Sequence, residues 1–465
     1  MPGPRLAMVA GMASRAPNIL LLLPDQWRWD WLGCHDGSGT PYGNVPVRTP
    51  NLDALAARGV RFTQCRTNSP VCAPARACLA RGVRYERCGV PSNGFNTPVD
   101  SDTIFRRLRD AGYRTACTGK TDLQKHGLFK GLDGWTPAMG QLGFVESANQ
   151  CGKWDAVNSG RERPADPYMA SLHASGHAPT HLADYDARRV ERGAGTISTF
   201  PTPLPRRYGT DDFCGRQALD MLTRWPTDPT GEHPTPWMLW VNFPGPHEPF
   251  DPPAELMRRY DGVDFPPPID WPANADPQDH LQLRRNYAAM CEGIDEWVGR
   301  LIDTVEARGE LDRTLIVFAS DHGEMLGDHG KWYKGVPEEG AVHVPLIVAG
   351  PGVPQGATRD DPVELIDLGA TLLAAAGLDV PDTMDARPLA ILGATPRDVQ
   401  VSALKDWRMA CDGRWKLVMT EGEPHRLYDL QADPAEIVNR AEAHPAEVDR
   451  LAADYARAGL TARTT

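Results

Sequence analysis

Three short apolar runs in the chain stop at residues able to hold a cation. Asn18-Ile-Leu-Leu-Leu-Leu23 is followed by Pro24 and Asp25, Trp237-Met-Leu-Trp-Val-Asn-Phe243 by Pro-Gly-Pro-His247, and Leu315-Ile-Val-Phe-Ala319 by Ser-Asp321-His322. In a mostly parallel sheet, ligands sit outside the carboxyl ends of the strands. Two carboxylates and an imidazole converging there would make a hard, oxygen-rich site, suited to Ca²⁺, Mg²⁺ or Mn²⁺ more than to Zn²⁺. An Asp past a strand end also serves as an ordinary turn or cap residue, so each acid alone says little. The other feature is Ser69-Pro-Val-Cys72-Ala-Pro-Ala-Arg76, where a cysteine precedes Pro74 by two positions and Arg76 by four. By itself such a cysteine reads as a small buried thiol.

The elements that must position these residues alternate. Asn18 to Leu23 suits a strand buried on both faces. Thr49 to Gly59 has a Thr cap, Pro at the first helical position and a terminal Gly, with Leu52, Leu55 and Ala56 on one face; the helix it predicts feeds a strand from Val60 to Cys65. Asp102 to Gly112 repeats that grammar before a strand from Tyr113 to Cys117 and the segment Thr118-Gly-Lys120. The stretch from Thr180 to Asp279, rich in Pro, Asp and Arg, reads as loops and insertions around the single strand Trp237 to Phe243. A long amphipathic helix is expected over Leu283 to Arg308, a strand over Val344 to Gly350 and a helix over Leu365 to Gly377. Composition shifts near Pro381 to Pro396; beyond it Asp412-Gly413 signals a two-residue hairpin, and Pro434 to Ala458 reads as helix. The fold class is α/β with a small C-terminal α+β subdomain. The expected division is a leader over 1–17, a catalytic domain over 18–385 and the subdomain over 386–465.

Composition narrows the function. The 465 residues are 41% hydrophobic and 24% charged, a globular balance that excludes disorder as the main state. A formal charge of -12 argues against coating nucleic acid or an anionic membrane, so an anionic ligand would need locally gathered positive charge. No apolar run approaches the length of a membrane span. Met1 to Ala16 lacks the continuous apolar block of a secretory signal, making the cytoplasm the default compartment with the periplasm left open. Ten Cys without a Cys-x-x-Cys pair remove the disulfide-scaffold and usual zinc readings.

The segment Cys72-Ala-Pro74-Ala-Arg76 resembles the signature of the type I sulfatases, and Gly82 falls where the extended signature has its Gly. Asn18 to Gln26 is similar to that family's opening strand and metal carboxylate, and Thr49 to Phe62 to its first helix and next strand. Gly112-Tyr-Arg-Thr-Ala-Cys-Thr-Gly119-Lys120 resembles its second signature, Pro246-His247-Glu-Pro249 its central His loop, and Ser320-Asp321-His322 through Gly330, with Lys334, its second metal segment. Leu427 to Pro434 is like its C-terminal ending, so the resemblance runs from about residue 18 to 440. It implies an alkaline-phosphatase-like fold, a large mixed and mostly parallel sheet flanked by helices.

The resemblance also implies roles. Cys72 would be oxidised to formylglycine by a formylglycine-generating enzyme, and its hydrate would be the nucleophile. One divalent ion, Ca²⁺ first with Mn²⁺ or Mg²⁺ as alternatives, would be held by Asp25, Asp321, His322 and residue 72. Arg76 would hold the diol, Lys120 and Lys334 would bind the transferring group, and His247 or Lys334 would protonate the leaving oxygen; Asn93 is a further substrate contact. Two departures stand out. Pro24 replaces one of two adjacent acids, leaving Gln26 to supply an oxygen, a variant that looks like the branch of choline sulfatase and the phosphonate monoester hydrolases. Asp122 stands where His is usual, so it must face away, pair with a base or meet a cationic part of the substrate. His329 either backs the metal ligands or is plain loop polarity, and Trp27, Trp29 and Trp31 either wall a pocket or pack in the core. The expected function is hydrolysis of small-molecule sulfate monoesters. A phosphonate monoester hydrolase or phosphodiesterase is the alternative, and a non-catalytic anion-binding protein the third reading. No nucleic-acid or membrane partner is expected, and a homo-oligomer is left open.

Overall fold

The structure, a computed structural model, describes residues 16–193, 197–227, 235–272, 276 and 278–458. The expected leader therefore lies outside the described residues except for Ala16 and Pro17. Fourteen strands are described: β1 (Asn18–Leu22), β2 (Gly59–Phe62), β3 (Cys65–Arg66), β4 (Arg114–Gly119), β5 (Glu146–Asn149), β6 (Trp237–Asn242), β7 (Thr314–Ala319), β8 (Leu346–Ala349), β9 (Ala357–Arg359), β10 (Val363–Glu364), β11 (Gln400–Leu404), β12 (Trp407–Cys411), β13 (Trp415–Thr420) and β14 (Arg426–Asp429). Eight of them form one sheet in the order β5-β4-β6-β1-β7-β8-β2-β9, parallel except where β8 runs against β7 and β2. This is the large mixed, mostly parallel sheet expected.

The apolar runs explain its centre. β1 is buried along its whole length, and alternate residues point to opposite faces. Leu20 and Leu22 join Trp27, Trp31, Val241 and Phe318 under the long helix, which contributes Ile294, Trp297, Val298 and Leu301. Ile19 and Leu21 join Met238, Trp240 and Val317 on the other face, against the helices Ile104–Asp110 and Asp367–Ala375. Trp27 and Trp31 are thus core, and Trp29 stacks on the His343 ring at 4.1 Å; packing is what these aromatics do.

Several local expectations are corrected. The long helix is Gln278–Ala307, starting earlier than Leu283. The stretch after Thr180 is less loop-like than read, for it holds the end of the helix Ala178–Gly193 and all of Thr210–Arg224. The first buries His181, Asp184 and Arg188 beside Ala178 and Tyr185, so its inward stripe is built largely of polar residues. The hairpin between β12 and β13 turns through Gly413 and Arg414, one residue later than Asp412-Gly413, because the Asp412 carboxylate accepts from the Arg414 and Trp415 N–H groups. The final helix is only Pro445–Arg457; it seats Leu451 and Tyr455 on the antiparallel sheet β11-β12-β13-β14.

Thr49 precedes the helix Pro50–Ala57 but does not cap it. Its hydroxyl accepts from the Gly33 N–H and donates to Asp53. The cap comes from Asp295 of the long helix, whose carboxylate accepts from the Asn51 N–H at 3.1 Å and the Leu52 N–H at 2.8 Å. Burial pushes the Asp295 carboxyl up to about 6. D295A leaves two helix N–H groups without partner and is expected to cost about 2 kcal/mol. D295N, which retains a capping oxygen, should lower the thermal midpoint much less; equal midpoints for the two variants would show that the cap carries no weight.

Candidate active site

The site is built where strands end. The register pairs Leu22 of β1 with Phe318 of β7, so Asp25 and Asp321 stand three residues past partnered positions. The two exits are laced together: Ser320 Oγ donates to the Pro24 carbonyl at 3.0 Å and accepts from the Trp27 N–H at 2.8 Å. Cys72 opens the helix Cys72–Arg81, and Arg76 lies four residues on, on the same face. β4 ends at Gly119 with φ of 80°, and a Cβ there would sit 1.9 Å from the Asn242 carbonyl, so only glycine lets the chain turn to present Lys120.

Ligand atoms of Asp25, Cys72, Asp321 and His322 lie within 4.8 Å of one another, all buried. Cys72 Sγ is 3.2 Å from His322 Nε2 and 3.7 Å from Asp25 Oδ1. His322 Nδ1 faces the Gly323 carbonyl at 3.0 Å, which favours the proton there and leaves Nε2 for the cluster. Two carboxylates, an imidazole nitrogen and the residue-72 side chain fit a hard divalent cation. Arg76 addresses these carboxylates and not the Cys72 side chain: Nε donates to Asp321 Oδ2 at 2.9 Å, Nη2 to Asp25 Oδ2 at 3.3 Å and Nη1 to Asn242 Oδ1 at 2.6 Å. Lys120 Nζ lies 2.5 Å from Asp25 Oδ2 and 3.4 Å from Cys72 Sγ. Burial alone would raise the Asp25 carboxyl; Lys120, His247, His322 and Arg76 outweigh it and hold the group well below the usual carboxylate range. The Cys72 thiol is likewise drawn down: burial and Asp25 push it up, and Lys120, Lys334 and His322 pull harder.

A second group of cations faces this cluster. His247 Nδ1 is 2.9 Å from Glu248 Oε2, and its Nε2 is 2.6 Å from Lys334 Nζ. Burial works against the imidazolium, but Glu248 prevails and pushes His247 up to about 9. Gln26 has φ of 70°, a left-handed backbone that is costly for a residue with a side chain. It is pinned by its N–H on Asp321 Oδ1 at 3.0 Å and by Tyr287 Oη on its carbonyl at 2.6 Å. Its side-chain oxygen accepts from Lys334, and its amide nitrogen donates to Glu248 and Glu324.

The remaining candidates also find their places. Asp122 is paired with bases, 2.8 Å from Lys125 Nζ and 3.4 Å from Lys120 Nζ, and Lys125 reaches Asp155 at 2.9 Å. Asn93 Oδ1 accepts from the Ala73 N–H at 3.0 Å and so steadies the first turn after Cys72. His329 lies away from the cluster, on Asp270 at 3.0 Å. Sequence reasoning passed over Asn242, Glu248, Glu324 and Lys125. Asn242 closes an apolar strand, and Glu248 and Glu324 stand near His247 and His322 past strand ends, so these three were visible by the strand-end rule; Lys125 carries no such signal.

Comparison with known proteins identifies the family. A sulfatase family model matches residues 17–378. The chain is 30% identical to a choline-sulfatase of Rhizobium meliloti, over 94% of this chain and 85% of that protein. It is 26% identical to an arylsulfatase of Clostridium perfringens, over 94% and 92%. Among solved structures it is similar to a phosphonate monoester hydrolase of Silicibacter pomeroyi, with a TM-score of 0.77 and 26% identity over 95% of this chain and 94% of that one. That of Agrobacterium radiobacter gives a TM-score of 0.73 and 26% identity over 95% of both chains. With the family model covering most of its length and the strand-end cluster in place, the chain belongs to the sulfatase family and is an enzyme of that family.

Proposed function

We propose that the chain hydrolyses small-molecule sulfate monoesters, with Cys72 matured to formylglycine as the nucleophilic residue. The observation that carries this is the meeting of Cys72 with Asp25, Asp321 and His322 on one side and with Lys120 on the other. Asp25, Asp321, His322 and residue 72 would hold one divalent ion, Ca²⁺ first, which supplies charge neutralisation for the sulfate oxygens and acidifies the attacking hydroxyl. Gln26 is a further candidate oxygen ligand, by its place beside Asp25. The hydrated aldehyde supplies two hydroxyls, one to attack sulfur and one whose proton loss reforms the aldehyde and releases sulfate. The same reading assigns residues 18–385 to the catalytic unit and 386–465 to the C-terminal subdomain.

The chain's own residues do the rest. Lys120 and Lys334 place fixed positive charge on the transferring group, their side chains largely withdrawn from solvent, where such charge acts strongly. Arg76 keeps Asp25 and Asp321 at their stations. His247, protonated at neutral pH, gives its proton to the leaving oxygen, and Glu248 keeps it charged. The alternative substrate is a phosphonate monoester or phosphate diester, which also puts one negative charge on a tetrahedral centre; the likeness to two phosphonate monoester hydrolases and the Pro24-Asp25-Gln26 opening favour testing it.

In protein produced alongside a formylglycine-generating enzyme, the tryptic peptide Thr67 to Arg76 should carry an aldehyde at residue 72, by mass spectrometry; an intact thiol beside a converted control sulfatase overturns the mechanism. Aryl sulfate should exceed an aryl phosphonate monoester and a phosphate diester in kcat/KM at equal concentration, and the reverse order selects the alternative. An acid that must be protonated works below its pKa, so kcat/KM should hold at neutral pH and fall as pH rises through about 9. E248Q removes the charge that supports the imidazolium and should move that alkaline limb to lower pH; a limb that stays in place rules out His247 as the proton donor.

A further inference from the structure

The role assigned to Arg192 rests on the reading that His247 and Lys334 serve the leaving oxygen, for the alcohol part of the ester then extends past them toward solvent. The cations of the site are graded by exposure. The side chains of Lys120, Lys334 and His247 are 2%, 13% and 14% exposed, as suits groups that grip the transferred anion. Arg192, near the end of the helix Ala178–Gly193, is 49% exposed. Its guanidinium carbon lies 5.4 Å from the Trp154 ring centre and 5.6 Å from that of Tyr333, the neighbour of Lys334. Its Nη2 is 3.9 Å from Glu248 Oε1, on the carboxylate whose other oxygen holds His247. That distance is beyond a hydrogen bond, and among the described residues the Arg192 guanidinium donates none. The rings therefore hold the fork while its N–H edge stays open, the geometry that takes an oxyanion in a bidentate grip. Arg189 adds a second guanidinium, 5.8 Å from the Trp154 ring centre. A cationic alcohol would find this aromatic surface already covered by positive charge.

We propose that Arg192 is a specificity-determining residue that reads an anionic group on the alcohol part of the ester. The test uses aldehyde-bearing protein and three sulfate monoesters of matched shape, those of 4-hydroxybenzoate, 4-hydroxybenzamide and 4-hydroxyphenyl-trimethylammonium. The carboxylate ester should show the lowest KM. In R192A the preference for the carboxylate over the amide ester, as a ratio of kcat/KM, should fall on the order of tenfold. The fall should lie mainly in KM, and R192K should keep part of the preference. An unchanged ratio in R192A, or a wild-type preference for the trimethylammonium ester, overturns the assignment. If no ester turns over, the sulfate-ester reading fails, and calorimetric titration with 4-hydroxybenzoate still decides Arg192. Weaker binding to R192A than to the wild type supports it, and equal or undetectable binding to both proteins overturns it.

Discussion

Asp25 and Asp321 stand in one fully buried corner of the sheet because the guanidinium of Arg76 stands between them. All three side chains are fully buried, with Arg76 bonded to both acids and to Asn242. Two carboxylates in such a place repel each other and lose their hydration, a penalty of several kcal/mol per ion that only close opposite charge can offset. The same helical turn that delivers Arg76 presents Cys72, so the sulfur and the acids arrive together. The parallel register of β1 and β7 does the complementary work, bringing the two acids out at matched heights.

Everything around this corner holds it in place. The His247 loop is tied at both ends: the Asp211 carboxylate accepts from the Gly245 N–H at 2.7 Å, and Lys153 Nζ donates to the Pro249 carbonyl at 2.9 Å. The C-terminal sheet buttresses the opposite wall. Leu404 and Trp407 pack on Val71, next to Cys72, and Trp407 Nε1 donates to the Gly335 carbonyl, next to Lys334. A buried ion network locks that sheet down, with Lys416 Nζ 3.0 Å from Glu339 and 2.7 Å from Glu436, while Arg66 Nη2 meets Glu339 at 2.7 Å. The small sheet is therefore part of the wall that positions Cys72 and Lys334.

Most of the large sheet was legible because continuous apolar runs bounded by Pro and polar residues mark strands covered on both faces. The helix Ala178–Gly193 escaped because its inward stripe includes His181, Asp184 and Arg188, with Arg188 satisfied by Asp184 and the Phe200 carbonyl. Such residues read as loop or solvated surface until their ion-pair partners are known. The Thr49 cap failed for a related reason: Asp295, 244 positions from Asn51, took the N–H groups that local grammar assigned to the threonine.

Residue types and their order along the chain determined which groups could do chemistry: Asp25, Cys72, Arg76, Lys120, His247, Asp321, His322 and Lys334 were all named from spacing, strand ends and resemblance. Short-range rules suffice there, since a strand end or one helical turn places a side chain to within a few ångströms of where it must be. Tertiary structure alone decided how these groups are paired. It set Arg76 on the acids in place of the thiol, gave Asp122 to Lys120 and Lys125, turned the Gln26 amide toward Lys334, Glu248 and Glu324, and brought Arg192 to the rim between Trp154 and Tyr333. Those partners come from elements far apart in the chain. Charge pairing in a buried space depends on distance and desolvation, and neither is written in local sequence.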